Sequence, residues 1–272
     1  MQLGKLSVPF IYKGEERIYY QSAPLTSVTP IINGKEIDFI YQGDELIYPA
    51  YATDGLVLHY DFSRRSNNDS DREIIVDLSG TGQHGHLQNF NYTSDSGYTE
   101  TGNGLRFDGV DDHITVELHS LPEIRYVRTI ELIASFHDIS GIRFPFHGSG
   151  SGLSAKTFSS GLFRVAPRNL STSGRYNIDA NLLSLEESMS ISISMEDNGK
   201  YELYKNGELE LSSENSLGFD TLVESFVLGS STTFSNNSNF TVHSFRIYNK
   251  ALTSDEVRNN YKIDRMKYGI NK

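Results

Sequence analysis

The chain of 272 residues contains no cysteine and no tryptophan. Without cysteine there can be no disulfide, no thiolate metal site and no cysteine nucleophile, whatever the compartment. No run of about 18 apolar residues occurs, so no segment reads as a transmembrane helix. The first ten residues lack a charged start followed by a long apolar stretch, so no secretory leader is expected. A protein working outside the cell that made it would then leave by another route, such as lysis. Basic residues are outnumbered: 24 Lys and Arg stand against 35 Asp and Glu, a formal net charge of −11. There is no dense basic stripe of the kind a duplex-DNA binder needs. The acidic balance suits solubility and gives no reason to expect nucleic-acid contact.

What the chain does have is 16 Tyr and 15 Phe, with 37% hydrophobic residues. That supplies a sizeable core and excludes a fully disordered chain. The length fits one large domain, or a large one with a small one. An internal repeat lies near the start. Phe10-Ile11-Tyr12-Lys13-Gly14-Glu15-Glu16-Arg17-Ile18-Tyr19-Tyr20 matches Phe39-Ile40-Tyr41-Gln42-Gly43-Asp44-Glu45-Leu46-Ile47-Tyr48-Pro49 at an offset of 29, with seven of eleven positions identical. Each copy reads as a hairpin, with Gly14 and Gly43 supplying a positive φ at the turn. Two such hairpins bury little surface alone. They are expected to pack on each other or on another chain, as a small β module or as a docking module for a larger assembly.

After a linker at 49–55 the chain reads as many short strands with turn signals between them. Ser188-Met189-Ser190-Ile191-Ser192-Ile193-Ser194-Met195 alternates strictly, which predicts one buried and one wet face. Asp197-Asn198-Gly199-Lys200 and Asn206-Gly207 mark hairpin turns. Thr253-Ser254-Asp255-Glu256 is a capping box that predicts a helix from about Ser254 to Lys267, covering a sheet edge or mediating self-association. The pattern is antiparallel all-β, in the sandwich or jelly-roll group.

Four motifs in order resemble concanavalin A-like, laminin G-type jelly-roll domains. They are Leu56-Val57-Leu58-His59-Tyr60-Asp61-Phe62 with Asp77-Leu78-Ser79-Gly80, then Gly104-Leu105-Arg106-Phe107-Asp108-Gly109-Val110-Asp111-Asp112-His113-Ile114, then Leu203-Tyr204-Lys205-Asn206-Gly207-Glu208-Leu209, and Phe245-Arg246-Ile247-Tyr248-Asn249-Lys250-Ala251-Leu252-Thr253-Ser254-Asp255-Glu256-Val257. The resemblance covers about residues 54–261. Tyr60 stands where these domains often carry a tryptophan. It implies an all-β, concanavalin A-like β-sandwich over 54–272 with a C-terminal helix, preceded by the small β module at 1–50. Gly43-Asp44-Glu45-Leu46-Ile47-Tyr48-Pro49 is similar to short segments of bacteriophage and prophage tail proteins.

Candidate chemistry is sparse. A retaining glycosidase needs two carboxylates about 5–5.5 Å apart, and no Glu-x-Asp-x-Glu run occurs. Glu186 and Glu187 are adjacent and point to opposite strand faces. Glu208 and Glu210 flank the Asn-Gly turn and read as solvated. Gly148-Ser149-Gly150-Ser151-Gly152 lacks both the strand–elbow–helix setting of a hydrolase serine and the Lys-Ser/Thr of a phosphate loop, and reads as a flexible loop. His84 and His86 form the closest histidine pair, short of the three or four ligands zinc takes. Asp108, Asp111 and Asp112 form an acidic cluster on a glycine-containing turn. Such a turn can offer calcium several of its six to eight oxygens, or can simply be an Asx-type turn. The resemblance adds Asp77 and its surroundings, up to Gly85, as calcium partners. No glycan-binding side chain can be selected from spacing; the loops at 136–158 and 234–240 are the first places to look.

Together these expectations describe a non-enzymatic structural or adhesion component of a phage or prophage tail. It would be made in the bacterial cytoplasm, attached to other tail subunits through residues 1–50, and symmetric as an oligomer. It would present its jelly roll to a cell-surface glycan or a partner protein. A bacterial cell-surface carbohydrate-binding module, extracellular in location, and a concanavalin-like glycoside hydrolase are the alternatives.

Overall fold

The computed structural model describes paired strand segments within the first 49 residues and, beyond them, residues 50–118, 127–149, 153–167, 176–216, 218–219 and 223–270. The chain divides into two compact units, Met1–Ala52 and Thr53–Lys272. The first unit contains antiparallel hairpins: β1 (Gln2–Leu3) with β2 (Leu6–Ser7), β3 (Ile11–Lys13) with β4 (Glu16–Ile18), β5 (Ile31–Ile32) with β6 (Lys35–Glu36), and β7 (Ile40–Gln42) with β8 (Glu45–Tyr48). The repeated segments hold β3–β4 and β7–β8. The same spacing of 29 residues separates Gln2 from Ile31 and Leu6 from Lys35. The repeating unit is therefore a pair of hairpins, twice what the identities show. Gly14 and Gly43, expected at the turns, lie outside the described residues.

The second unit is a sandwich of two antiparallel sheets. The first sheet runs β10 (Ile74–Ile75), β11 (Gly85–Gln88), β14 (His113–Glu117), β23 (Ser225–Leu228), β16 (Arg143–Gly148), β17 (Ser154–Thr157), β18 (Leu162–Ala166) and β19 (Ile178–Asn181). The second runs β12 (Gly97–Tyr98), β13 (Leu105–Asp108), β24 (Asn239–Tyr248), β15 (Thr129–Asp138), β20 (Ser188–Met195), β21 (Lys200–Lys205) and β22 (Glu208–Glu214). One edge of β24 is shared: β13 takes its first half and β9 (Leu56–Asp61) its second. Between the sheets lies a core rich in aromatics, where Phe107 packs on Phe240 at 4.8 Å and Phe146 on Phe245 at 5.6 Å between ring centroids. Tyr60 is fully buried there, and its hydroxyl donates to the Gln83 carbonyl at 2.5 Å.

The alternation in β20 is real, but its polar face is not wet. Met189, Ile191, Ile193 and Met195 enter the core, while Ser190, Ser192 and Ser194 are only 2–4% exposed. The cause is helix α1 (Ser254–Tyr268), which covers the outer face of the second sheet rather than a sheet edge. Its capping box is formed by Thr253 and Glu256. Gly207, in the Asn-Gly turn at φ +73°, has no side chain because a Cβ there would stand 2.6 Å from the Tyr261 ring of the helix.

Beneath α1 a charged cluster is sealed from water. Arg246 of β24 reaches Glu131 of β15 at 2.7 Å and both oxygens of Asp264 of α1 at 2.9 and 2.5 Å. Asn260 donates to Glu131 at 2.8 Å. All four side chains are buried. Burial works against the Arg246 charge, but Asp264 and Glu131 outweigh it and hold its pKa well above the ordinary value. Burial raises Glu131, with Arg246 opposing.

Candidate functional site

One end of the sandwich gathers the loops that cross between the sheets. The turn from β13 to β14 carries Asp108, Asp111 and Asp112. Gly109 makes it possible, because at φ +81° its Cα comes so close to Asn239 that a Cβ would stand 2.9 Å from that residue's Cβ. One Asp108 oxygen accepts from the Val110 amide at 2.7 Å. Asp112 accepts from the Asp108 amide and from the Ser96 hydroxyl, each at 2.9 Å. One oxygen from each of the three carboxylates lies within 4.8 Å of the others. Asp112 is only 1% exposed. Its pKa is pushed up to about 7, first by burial and then by the neighbouring Asp108 and Asp111 charges.

Asp77, grouped with these residues on the resemblance, is not part of the cluster. Its carboxylate is already engaged by five donors: the amides of His59, Ser79 and Gln83 and the hydroxyls of Ser79 and Thr81. Burial raises its pKa, but these bonds outweigh burial and hold it below the ordinary value. Asp77 thus ties β9 to the loop at 77–83. His84 accepts from the Asp77 amide at 3.1 Å, and among the described residues no metal-ligand group includes it or His86.

Beside the acidic turn lies the loop between β23 and β24. Ser231 organises it by accepting from the amides of Thr233 and Ser235. Phe234 and Asn236 are left-handed there, at φ +53° and +56°. For a bulky residue such as Phe this conformation is an outlier, of a kind that concentrates at binding sites. Phe234 is 54% exposed, and its ring lies tilted at 39° against His113 with centroids 4.6 Å apart. Asn237 donates to the Val110 carbonyl, and Asn89, also left-handed, donates to the Asp111 carbonyl at 3.2 Å. Val110 is 69% exposed. The result is an aromatic face, an aliphatic side chain, amides and carboxylates on one surface. The ring can cover sugar C–H groups, and the amides and acids can meet hydroxyls. The oxygens of Asp108, Asp111 and Asp112 suit a hard cation.

Among the described residues, Glu196 and Glu202 both reach Lys200, at 3.4 and 3.0 Å, on an open pocket also lined by Ser194, Tyr201 and Thr253. Glu131 and Asp264 are shut beneath α1 with Arg246 between them. Glu208 and Glu210 are exposed on β22. The loop at 234–240 was singled out from the sequence; the left-handed Phe234 within it was not, since neither Gly nor Asn announces that conformation.

No family model and no curated protein matches the chain. Solved structures do. The receptor-binding domain of botulinum neurotoxin mosaic serotype C/D superposes with a TM-score of 0.61 at 16% identity, covering 77% of this chain and 51% of that one. The botulinum neurotoxin serotype D ligand-binding domain, in complex with N-acetylneuraminic acid, gives 0.61 at 15% identity over the same shares, 77% and 51%. A Trypanosoma rangeli sialidase gives 0.58 at 17%, covering 81% of this chain and 36% of that one. Identities this low establish the fold alone: an all-β, jelly-roll-like sandwich. The chain spans about half the length of the toxin domains and about a third of the sialidase.

Proposed function

We propose that the sandwich unit is a carbohydrate-binding module that acts without turnover, with Phe234 as its stacking platform. The observation that carries this reading is the exposed aromatic ring held in a left-handed backbone beside the acidic turn. The neighbours add support in general terms, since one is a complex with N-acetylneuraminic acid and another is a sialidase. The test is a glycan array probed with the full chain, followed by an assay for reducing ends on each glycan bound. Binding without new reducing ends is expected. No binding anywhere on a broad array sinks the reading, and turnover sinks its non-enzymatic part.

A calcium ion at Asp108, Asp111 and Asp112 belongs to the same proposal. Titration calorimetry of EDTA-stripped protein should show binding and a raised melting temperature, both lost in Asp112→Asn. Ligation needs the Asp112 proton gone, so affinity should rise from pH 6 to pH 8, across a pKa of about 7. Absence of heat at pH 8 removes the metal.

Presentation of this module by a phage or prophage tail, on a virion, is the finer reading. The doubled hairpin pair of the first unit supports it as an attachment element. Deleting residues 1–50 should leave glycan binding unchanged and abolish incorporation into particles; normal incorporation would refute the attachment role.

A further inference from the structure

Where the hairpin of β20 and β21 meets the start of α1, the second sheet's outer face holds an open cavity of about 390 Å³. Ser194, Glu196, Lys200, Tyr201, Glu202 and Ser254 are among the residues lining it. That volume is at the lower end of the range for ligand sites, about 300–1,000 Å³, and suits a small molecule. The Lys200, Glu196 and Glu202 side chains are 44, 43 and 21% exposed, so a ligand can reach them. The hairpin that carries them is tightly built. The Glu196 amide donates to the Lys200 carbonyl at 2.8 Å, and a Cβ on Gly199 would collide with the Asn215 carbonyl.

The Lys200 Nζ lies 3.4 Å from Glu196 and 3.0 Å from Glu202. Acceptor, donor and acceptor therefore stand in a row. The Tyr204 hydroxyl, donating at 2.5 Å, and the Lys200 ammonium hold Glu202 below the ordinary carboxylate range against the effect of burial. A carboxyl kept ionised is a poor general acid, so the row suits binding and not glycosidic cleavage. The ammonium stands between the carboxylates where a shared metal ion would have to be, and among the described residues neither belongs to a metal-ligand group. Two carboxylates against one ammonium leave one negative charge in excess, which turns away an anion. A cation would have to displace Lys200 from both ion pairs. A hydroxyl accepts from the ammonium and donates to a carboxylate, and neighbouring hydroxyls on one sugar ring do so together. Tyr201 is only 5% exposed and its ring packs against Tyr176 and Phe219, so it offers no face for stacking. Binding here is accordingly weaker than at Phe234.

The two places are far apart. β24 starts at Asn239, beside the Phe234 loop, and ends at Tyr248, three residues before Ala251 of the cavity wall. Its 10 residues, at about 3.3 Å each, put roughly 30 Å between the two ends. No single sugar reaches both.

We propose that this cavity is a second saccharide site, taking one uncharged sugar unit whose neighbouring hydroxyls bridge Lys200 and the carboxylates of Glu196 and Glu202. It rests on the carbohydrate-binding reading for its ligand class and on none of the residues around Phe234.

The experiment follows the amide NMR signals of the full chain during titration with the methyl glycosides of glucose, galactose and mannose, and separately with N-acetylneuraminic acid and with spermidine. At least one methyl glycoside should move the Lys200 and Ser254 amides saturably, and equally so in F234A. E196Q and K200M should each weaken that response about tenfold. Their melting temperatures should stay level, since exposed ion pairs add little stability; should K200M fail to fold, E196Q carries the test. Unchanged binding by E196Q, or tighter binding of N-acetylneuraminic acid or spermidine at these amides, would overturn the site. Weaker binding that comes with a fall of several degrees in both variants would make the row structural and overturn it too. Shifts confined to the Phe234 loop would keep the module and remove this site, whereas no shift at either place would count against both.

Discussion

Replacing Arg246 with methionine should lower the free energy of unfolding by about 3–5 kcal/mol. The reason is what remains behind. Glu131 and Asp264 are fully buried beneath α1 and would face each other without the guanidinium that joins them. Glu131, already raised by burial, would lose the Arg246 charge that opposes that rise, and would take a proton in the folded state at a pH where the unfolded chain has released it. Below the unfolded value both states bind that proton and this part of the penalty vanishes. As pH rises the unfolded state releases it first, and the penalty grows. The gap between wild type and R246M should therefore widen from pH 5 to pH 8, read by urea unfolding at both. A loss under about 1 kcal/mol, or a gap independent of pH, would show that the cluster does not clamp the helix. Replacing all three charged residues together, as E131L/R246M/D264L, should recover most of the loss, because no charge is then left buried.

Replacing Phe234 with alanine should weaken glycan binding about 30-fold or more, the effect of removing a stacked aromatic anchor worth about 2 kcal/mol. It should leave the fold untouched. The ring is more than half exposed and its backbone is strained, so the melting temperature of F234A should stay level. Phe234→Gly, which suits a left-handed φ, should melt no lower than wild type yet bind as poorly as F234A. Phe234→Tyr should retain binding. Full binding by F234A and F234G would remove the stacking platform from the proposal.

Much of the architecture is legible in local sequence because local sequence decides it. The Thr253–Glu256 capping box, the Asn206-Gly207 turn and the alternation in β20 each depend on residues within a few positions of one another. The cluster of Asp108, Asp111 and Asp112 was legible for the same reason: one turn carries all three. Which face of β20 meets water was not, because α1, more than fifty residues later in sequence, covers it. Arg246 reads as a solvent-facing residue on an alternating strand. Its partners are 115 and 18 residues away, and only the sheet register and the helix bring them together. That Asp77 lies outside the aspartate cluster and holds nearby amides was not legible, because an aspartate that caps amides and one that binds a metal look alike in sequence. The first hairpin of each N-terminal copy has diverged in sequence while keeping its spacing, so the identities expose only the second.

The strand that opens the sandwich unit lies beside the one that closes it, with Leu58 opposite Ile247. β24 also holds β13 and β15. During synthesis, then, nearly the entire unit must leave the ribosome before its second sheet can close, and until that moment three strands wait with bare edges. A message cut short before codon 239 would release a chain with those edges permanently open, a ready template for aggregation. Pairing so distant along the chain also makes for slow folding. The direction of translation delivers last the strand on which the others depend.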